Sequence, residues 1–525
     1  MSNTDFKHWF LGYDSSIADE FRNPDRVLFT ESPNEVEVLV DGASYMQKLY
    51  DVIDSDNATS GDVIYFAGLE LKWDLYLIPD NGFSQILEVL DRAHKNGADV
   101  RVLLSFHYHN RFELTTNVDT FRRLWSRGIE CIYDISAGVK KWFTGAAHQK
   151  FAIICRAGKL HGFCGGIDIT YDRWDTDQHD SKKQNNGINR PFAQSFPAGW
   201  HDVHTYIQGA ACHDLLTSFE ERWNFIVDTP EIRSRFNVKS RKPSTLGSPQ
   251  ISPIPLNGGH HVQVLRTYPC FRPEEGEIEL PFAKHGEMSA REACLKAIRQ
   301  AEYLIYIEDQ YFYSYEIASA LIDALNSKPR LRVLVVVPRE PNADPLYEWA
   351  NYHQGQVIDM IHTSVGYERF GIYDLNIDPV TDLVENQIYV HAKLMIIDDV
   401  WVEIGSMNCN RRSTTHDFEM CVAVVDDATS TYTSTEMGTV CDFAHDLRLR
   451  LWEEHLGVPP SQISHDHVIG FDFWRTHSDI SPHHARNHIA SLNNERKWIF
   501  WKPNLWNSQI DIEGSCPDED RIPPL

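Results

Sequence analysis

Apolar positions along this chain follow two periodicities in alternation, and the alternation occurs twice. Tyr45, Leu49, Val52 and Ile53 recur at helical spacing and predict a helix over 41–54. The apolar run at 62–67 predicts a strand, and Ile86, Leu87, Val89, Leu90 and Ala93 predict a helix over 84–96 that Gly97 ends. A strand over 100–104, a helix over 121–127, a short strand over 130–133 and a strand opened by His148 follow. The second half runs in the same order. It has a helix over 289–301, a strand over 303–307, a helix over 317–326, an apolar strand over 331–337 and a strand opened by His391. The run over 331–337 has the near-continuous hydrophobicity of a strand buried on both faces. Strands alternating with helices predict an α/β class with a parallel or mixed sheet covered by helices. Between the halves, Pro230, Pro243, Pro249, Pro253 and Pro255 among Ser, Lys and Gly have the composition of a linker. The expected organisation is an N-terminal arm (1–35), a first half (36–228), a linker (229–258), a second half (259–456) and a C-terminal tail packed on the core (457–525).

Charge and composition narrow the partners. A formal net charge of −26 argues against a broad basic surface, so no nucleic-acid partner is expected, although a small basic pocket is compatible with it. Ten cysteines lie without a CxxC pair or repeated spacing, which reads as buried thiols rather than a disulfide framework or zinc module. The first residues carry no basic stretch leading into a long apolar run, and no window of about 20 apolar residues occurs. The expectation is a soluble chain without Sec leader or membrane span, cytoplasmic or exported by a non-Sec route.

Two stretches carry the candidate chemistry: His148-Gln149-Lys150-Phe151-Ala152-Ile153-Ile154 and His391-Ala392-Lys393-Leu394-Met395-Ile396-Ile397-Asp398. Each leads to a Gly-rich strand end, Gly165-Gly166-Ile167-Asp168 in one case and Gly405-Ser406-Met407-Asn408 in the other. A single His-x-Lys is expected by chance, and a single His on an apolar strand is more often a core residue. Two copies with matching downstream context are a different matter. Side chains two apart on a strand share a face, so each stretch offers an imidazole and an ammonium group to a cleft between the halves. Cys155 and Asp398 fall on the opposite face and read as structural. Two His and two Lys suit displacement at a phosphodiester: one imidazole attacks phosphorus, the other moves the proton, and the lysines neutralise the phosphate oxygens. A metal reading of His201, Asp202 and His204 with His107 and His109 is the competing one. No spacing among them matches a metal motif, so no metal site is expected. Trp142, Phe143, Phe192, Phe196, Trp200, Tyr311 and Phe312 are candidates for an apolar rim.

These residues resemble the phospholipase D superfamily, whose signature is a duplicated HxKxxxxD motif. The likeness extends to Gly165 to Thr170 with Asp172-Arg173-Trp174-Asp175-Thr176, to Trp200-His201-Asp202-Val203-His204 with Arg222-Trp223-Asn224, to Ile307-Glu308-Asp309-Gln310-Tyr311-Phe312, and to Gly405 to Asn408 with Glu419. It implies two pseudo-symmetric α/β/α halves forming one shared active-site cleft. It further implies His148 as nucleophile and His391 as general acid/base, or the reverse. Lys150, Lys393 and Asn408 would hold the phosphate, Asp168 would line the site, and Asp202 and Glu419 would orient the histidines. Trp200 and Tyr311 join Asp168 and Asn408 as expected substrate-binding residues. One departure is Cys155, where the family has Asp. The implied activity is hydrolysis of glycerophospholipids to phosphatidic acid and free head group, with water or an alcohol as acceptor, at a membrane surface approached peripherally. A cardiolipin synthase-like transferase or a nuclease of the same superfamily is the alternative. No cofactor is expected, and the calcium dependence of relatives with a C2 domain does not carry over. The likeness to some bacterial forms equals that to plant ones, which makes a secreted or injected effector one expectation.

Overall fold

The computed structural model of the chain describes residues 6–12, 29–106, 114–134, 145–179, 199–230, 243–246, 249, 251–252, 258–269, 279–284, 286–339, 348–378, 386–434, 438–464, 466–478 and 485–487. The first half contributes strands β1 (Phe29–Val40), β2 (Val63–Gly68), β3 (Asp99–Ser105), β4 (Glu130–Asp134), β5 (Phe151–Arg156), β6 (Lys159–Gly165), β7 (Gly199–His201) and β8 (Val203–Gly209). The second contributes β9 (His260–Tyr268), β10 (Glu287–Met288), β11 (Leu304–Asp309), β12 (Arg332–Val336), β13 (Phe370–Asn376), β14 (Gln387–Val390), β15 (Lys393–Ile397), β16 (Trp401–Gly405) and β17 (Glu419–Asp426), then β18 (Thr429–Ser434), β19 (Gly438–Cys441) and β20 (Ala485–Asn487). Helices are α1 (Asp41–Ile53), α2 (Ile86–Lys95), α3 (Leu114–Ser126), α4 (Cys212–Asp228), α5 (Ser289–Gln300), α6 (Tyr315–Ser327), α7 (Glu348–Val365), α8 (Arg411–Thr415), α9 (Asp442–Leu456) and α10 (His467–His477).

Strand pairing realises the duplication. The first half is ordered β4-β3-β2-β5-β6-β8-β1 and the second β13-β12-β11-β15-β16-β17-β9. The outer three strands of each half are parallel and the rest antiparallel, and β1 pairs with β9 to join the two into one continuous order. In the second half, alternate residues enter different cores. Ile305, Ile307, Val333, Val335, Met395 and Ile397 pack with α5, α6 and α7, whereas Leu304, Tyr306, Leu334, Val336, Leu394 and Ile396 pack with α9 and α10. That is a sheet covered on both faces, the layering expected.

Several boundaries differ from the sequence reading. Strand β1 starts at Phe29, inside the stretch expected to be an arm, because it pairs along β8 and β9. The described piece of the arm packs on the second half: Leu11 N–H donates to Gln263 Oε1 at 3.0 Å, and Lys296 Nζ donates to the Phe10 carbonyl at 2.7 Å. Of the expected linker, Ser244 and Leu246 bond to Glu130 and Asn224 of the first half; most of the rest lies outside the described residues. Helix α9 ends at Gly457, which adopts the left-handed conformation (φ 61°) that closes a helix readily. The tail beyond it continues as α10 and β20, and Arg486 Nε donates to buried Asp374 at 2.8 Å; residues 488–525 lie outside the described residues. The eight described cysteines are buried, as expected. Among the described residues no helix is long and apolar enough to cross a membrane.

Candidate active site

The strands expected to open at the histidines begin slightly later, at Phe151 and Lys393. The reason is where the histidine backbones go. His148 N–H donates to the Phe418 carbonyl at 3.0 Å, and His391 N–H donates to the His201 carbonyl at 2.7 Å. Each carbonyl belongs to the residue just before a carboxylate, Glu419 or Asp202. A parallel bridge between Ala147 and Phe418, and the parallel pairing of β14 with β7, complete two equivalent seams between the halves. The seams deliver crossed pairs. His148 Nδ1 lies 3.0 and 3.1 Å from the two carboxylate oxygens of Glu419, and His391 Nδ1 lies 2.6 Å from Asp202 Oδ2. Each half supplies one imidazole and the acid for the other's.

The lysines turn back on their own motifs. Lys150 Nζ donates to the His148 carbonyl at 2.8 Å and lies 3.4 Å from Asp168 Oδ2. Lys393 Nζ donates to the His391 carbonyl and, at 3.1 Å, to Gln310 Oε1. Burial, with Lys150 close by, brings the Lys393 ammonium down to about 7. Burial and the two lysines hold the His148 imidazole well below its ordinary value, and His391 is held down by burial, Lys393 and Arg173. Glu419 moves the other way, to about 8, through burial and the neighbouring Asp417. The motif lysines, with Arg173 at His391, push both imidazoles toward the neutral form, and the negative charge of a phosphate would be favoured among these groups.

Asp168 and Asn408 are both buried at the equivalent loop positions after β6 and β16, and Asn408 Oδ1 has no hydrogen-bond partner among the described residues. Tyr311 is half-buried, with its ring 5.5 Å from that of Tyr313. Trp200, expected to contact substrate, is 8% exposed; its ring carries Arg173 at 4.1 Å, stacks on Tyr389 at 4.7 Å and lies 5.0 Å from His391, so it packs against the imidazole. Phe312 is buried in the second core, and Trp142, Phe143, Phe192 and Phe196 lie outside the described residues. Cys155 is buried at the end of β5, away from the reacting groups, as the strand-face argument expected.

Residues the sequence reading left without a role complete the site. The Ser406 hydroxyl donates to Glu419 Oε2, and its carbonyl lies 3.2 Å from His148 Nδ1. A carbonyl only accepts, so Nδ1 carries the proton and Nε2 presents its lone pair to the cleft. Gln149 Nε2 donates to the Glu419 carbonyl at 2.8 Å, and Tyr389 accepts from Gln310 Nε2 at 2.9 Å. Ser406 and Gln310 stood inside quoted motifs, and Tyr389, two residues before His391, shares its face.

The metal reading is regrouped by the structure. Asp202 goes to His391, His204 stacks on Tyr45 at 4.1 Å, and His107 and His109 lie outside the described residues. His201 instead joins Asp41, His179 and Glu454, with one donor atom from each within 4.8 Å of the others, and on its other nitrogen Glu308 and His455. His201 Nε2 lies 2.8 Å from Glu308 Oε2, and His455 Nε2 lies 2.8 Å from Glu308 Oε1. This donor set could hold a divalent cation. It also closes as an ion network: burial opposes charge on His201, but Glu308 and Glu454 outweigh it and raise the imidazole well above its ordinary value.

Comparison with known proteins bears on the family. Residues 58–319 match the family model described as phospholipase D, and residues 294–440 match cardiolipin synthase, PLD-like domain. The chain is 25% identical to phospholipase D alpha 4 of Arabidopsis thaliana, covering 82% of this chain and 65% of that protein. It is also 25% identical to phospholipase D1 of Saccharomyces cerevisiae, covering 80% of this chain and 28% of that one. Among solved structures, a phosphatidylserine synthase of Haemophilus influenzae aligns with a TM-score of 0.46 and 16% identity over 74% of this chain and 82% of that chain.

Proposed function

The chain belongs to the phospholipase D superfamily, and from that premise we propose that it cleaves the distal phosphodiester of glycerophospholipids, giving phosphatidic acid and a free head group. The observation that carries the reading is the crossed pairing, His148 with Glu419 and His391 with Asp202, around two motif lysines.

In the proposed reaction His148 Nε2 attacks phosphorus while its Nδ1–H remains on Glu419 and the Ser406 carbonyl. The bond from phosphorus to the head-group oxygen breaks, and His391, protonated on both nitrogens and held by Asp202, gives its Nε2 proton to the departing alkoxide. The arriving phosphate favours that imidazolium by adding negative charge beside the lysines. His391 then takes a proton from water, the water oxygen bonds to phosphorus, and the phosphohistidine bond breaks to release phosphatidic acid. An alcohol in place of water gives a phosphatidyl alcohol by the same step. Lys150, Lys393 and Asn408 stabilise the charge that builds on the non-bridging oxygens. The net charge of −26 disfavours a nucleic-acid backbone as substrate.

The test is head-group release from phosphatidylcholine and phosphatidylethanolamine vesicles containing ethanol, for the parent and for His148→Ala and His391→Ala. Phosphatidic acid and phosphatidylethanol from the parent, with loss of both by about 10³-fold or more in each variant, is the expected result. Turnover surviving both substitutions would overturn the assignment.

A further inference from the structure

The sequence Asp172-Arg173-Trp174-Asp175-Thr176 finds no place in the reaction as written, although part of it lies against the site. The helical turn Tyr171–Arg173 follows the loop of Asp168 and sets the Arg173 guanidinium carbon 4.1 Å from the centre of the Trp200 ring. One guanidinium nitrogen pairs with Asp172, while Nε is buried without a hydrogen-bond partner. Trp200 in turn stacks on Tyr389 and lies against His391. An arginine used this way supplies a flat brace and a fixed charge more than a hydrogen-bonded tie.

We propose that Arg173 is a positioning residue for His391: it braces Trp200 against the imidazole and places a fixed positive charge behind it. This rests on the reading of His391 as a reacting group.

The second half holds an internal comparison. Trp200 stands two residues before Asp202, and Asp417 stands two before Glu419. Arg412, in the short helix α8 after Asn408, bonds Asp417 at 2.9 Å, and Asp417 also accepts the Ala146 N–H at 2.7 Å. Each half therefore sends an arginine from the short helical segment after its Gly-rich strand end to the residue two before the histidine-orienting carboxylate. The intermediaries differ in charge. Asp417 pairs with Arg412 and presents a carboxylate toward His148, which favours its charged form; Trp200 carries no charge, and Arg173, although paired with Asp172, disfavours the charged form of His391. The groups facing His391 are Lys393, Arg173, Lys150, His148 and the acceptor Asp202. Arg173 is the cation among them that lies outside both motifs, so it distinguishes the two imidazoles of an otherwise symmetric site.

The experiment uses the full chain with Arg173→Gln, Arg173→Lys and Trp200→Phe, read in two ways. Histidine NMR titration, with the His391 signal assigned through a His391→Gln variant, needs no substrate. The pH profile with bis(p-nitrophenyl) phosphate reports the reaction. Arg173→Gln should raise the His391 pKa by about half a unit or more. It should lower kcat about 10-fold with KM changed less than about threefold. Arg173→Lys should keep the pKa and lose less of kcat, and Trp200→Phe should lower kcat with the pKa moved less than in Arg173→Gln. An unmoved His391 titration in Arg173→Gln overturns the proposal, as does a loss confined to KM, which would make Arg173 a substrate-binding residue. If Arg173→Gln does not fold, unchanged kcat in both Arg173→Lys and Trp200→Phe overturns it. A parent inactive on every phosphodiester would remove the proposed function while the NMR arm still decides whether Arg173 sets the charge of His391.

Discussion

Asp398 adopts left-handed backbone (φ 53°) in the turn between β15 and β16, and its carboxylate accepts the N–H groups of Glu302, Tyr303 and Leu304 at 2.7, 2.8 and 2.8 Å. It pins the start of β11. The first half has Cys155 in the corresponding position, with a two-residue turn, Ala157 and Gly158, after it. The missing carboxylate is supplied from the other side: Asp62 accepts the N–H groups of Thr59 and Ala157 at 2.8 Å and pairs with Arg156. Burial opposes its charge, but these bonds prevail and hold Asp62 below the usual carboxylate range. Removing either acid leaves partly buried donors without their acceptor, so Asp62→Ala and Asp398→Ala should each lower unfolding free energy by about 1–3 kcal/mol in urea titrations. Cys155→Asp, which restores the family pattern, should destabilise as well, because it buries a second carboxylate near Asp62. In the Asp62→Ala/Cys155→Asp double variant the two losses should sum to clearly less than the singles; additive losses would show that Asp62 does not stand in for the motif acid. The alternation of faces along a strand made the structural role of positions 155 and 398 legible. The substitute was not, since Asp62 is joined to the motif only through a strand pairing that spans much of the half.

At the scale of elements, those strands and helices that could be read, such as α1, β2, α2 and β3 in the first half and α5, β11, α6 and β12 in the second, are long enough to show a period. The seams could not be read. Strand β7 is the three residues Gly199–His201 and β14 the four residues Gln387–Val390, too short to declare a register, and they join positions 189 residues apart at His391 and Asp202. The resemblance supplied both carboxylates but not which acid meets which histidine. Tight approach at these seams also explains a difference between the two Gly-rich strand ends. A Cβ at Gly166 would overlap Asp202 Oδ1, whereas Ser406 at the matching place has room for a hydroxyl that bonds Glu419. Gly166→Ala should therefore push the Asp202 carboxylate off His391 and reduce kcat on phospholipid vesicles by about 10²-fold, with folding retained by circular dichroism. Ser406→Ala removes one hydrogen bond to Glu419 and should reduce kcat by about 10-fold or less. Equal activities for Gly166→Ala and the parent would mean that the acid has room to move without consequence.

Across the whole molecule the two halves meet on buried charge as well as on backbone. Asp41, His179 and His201 come from the first half, Glu308, Glu454 and His455 from the second, and the group adjoins the Asp202–His391 pair, since the Asp202 N–H donates to Asp41 Oδ1 at 3.4 Å. Sequence reading weighed only His201 among them as a ligand and quoted Glu308 only within a motif, because the group exists only once the halves are joined. Its contribution to stability has a definite pH window. Burial would raise Glu308, but His201 and His455 outweigh it and hold it at about 2, below its unfolded value of 4.5, so its contribution is present above 4.5 and lost as pH falls toward 2. Burial opposes charge on His179, but Asp175, Asp41 and Glu454 outweigh it and raise it to about 10 from an unfolded 6.5, so its contribution is complete below 6.5 and lost as pH rises toward 10. The full contribution lies between about pH 4.5 and 6.5. Glu308→Gln keeps the shape and removes the charge, so the gap in melting temperature between it and the parent should be widest in that window and narrow on both sides. The measurement is a thermal melt series from pH 4 to 9, run with and without chelator. A gap that instead widens toward alkaline pH, and that chelator abolishes, would replace the ion network with a bound divalent cation, since neutral imidazole is the form that binds metal. The same series thus decides whether the seam between the halves is held by protons or by a metal.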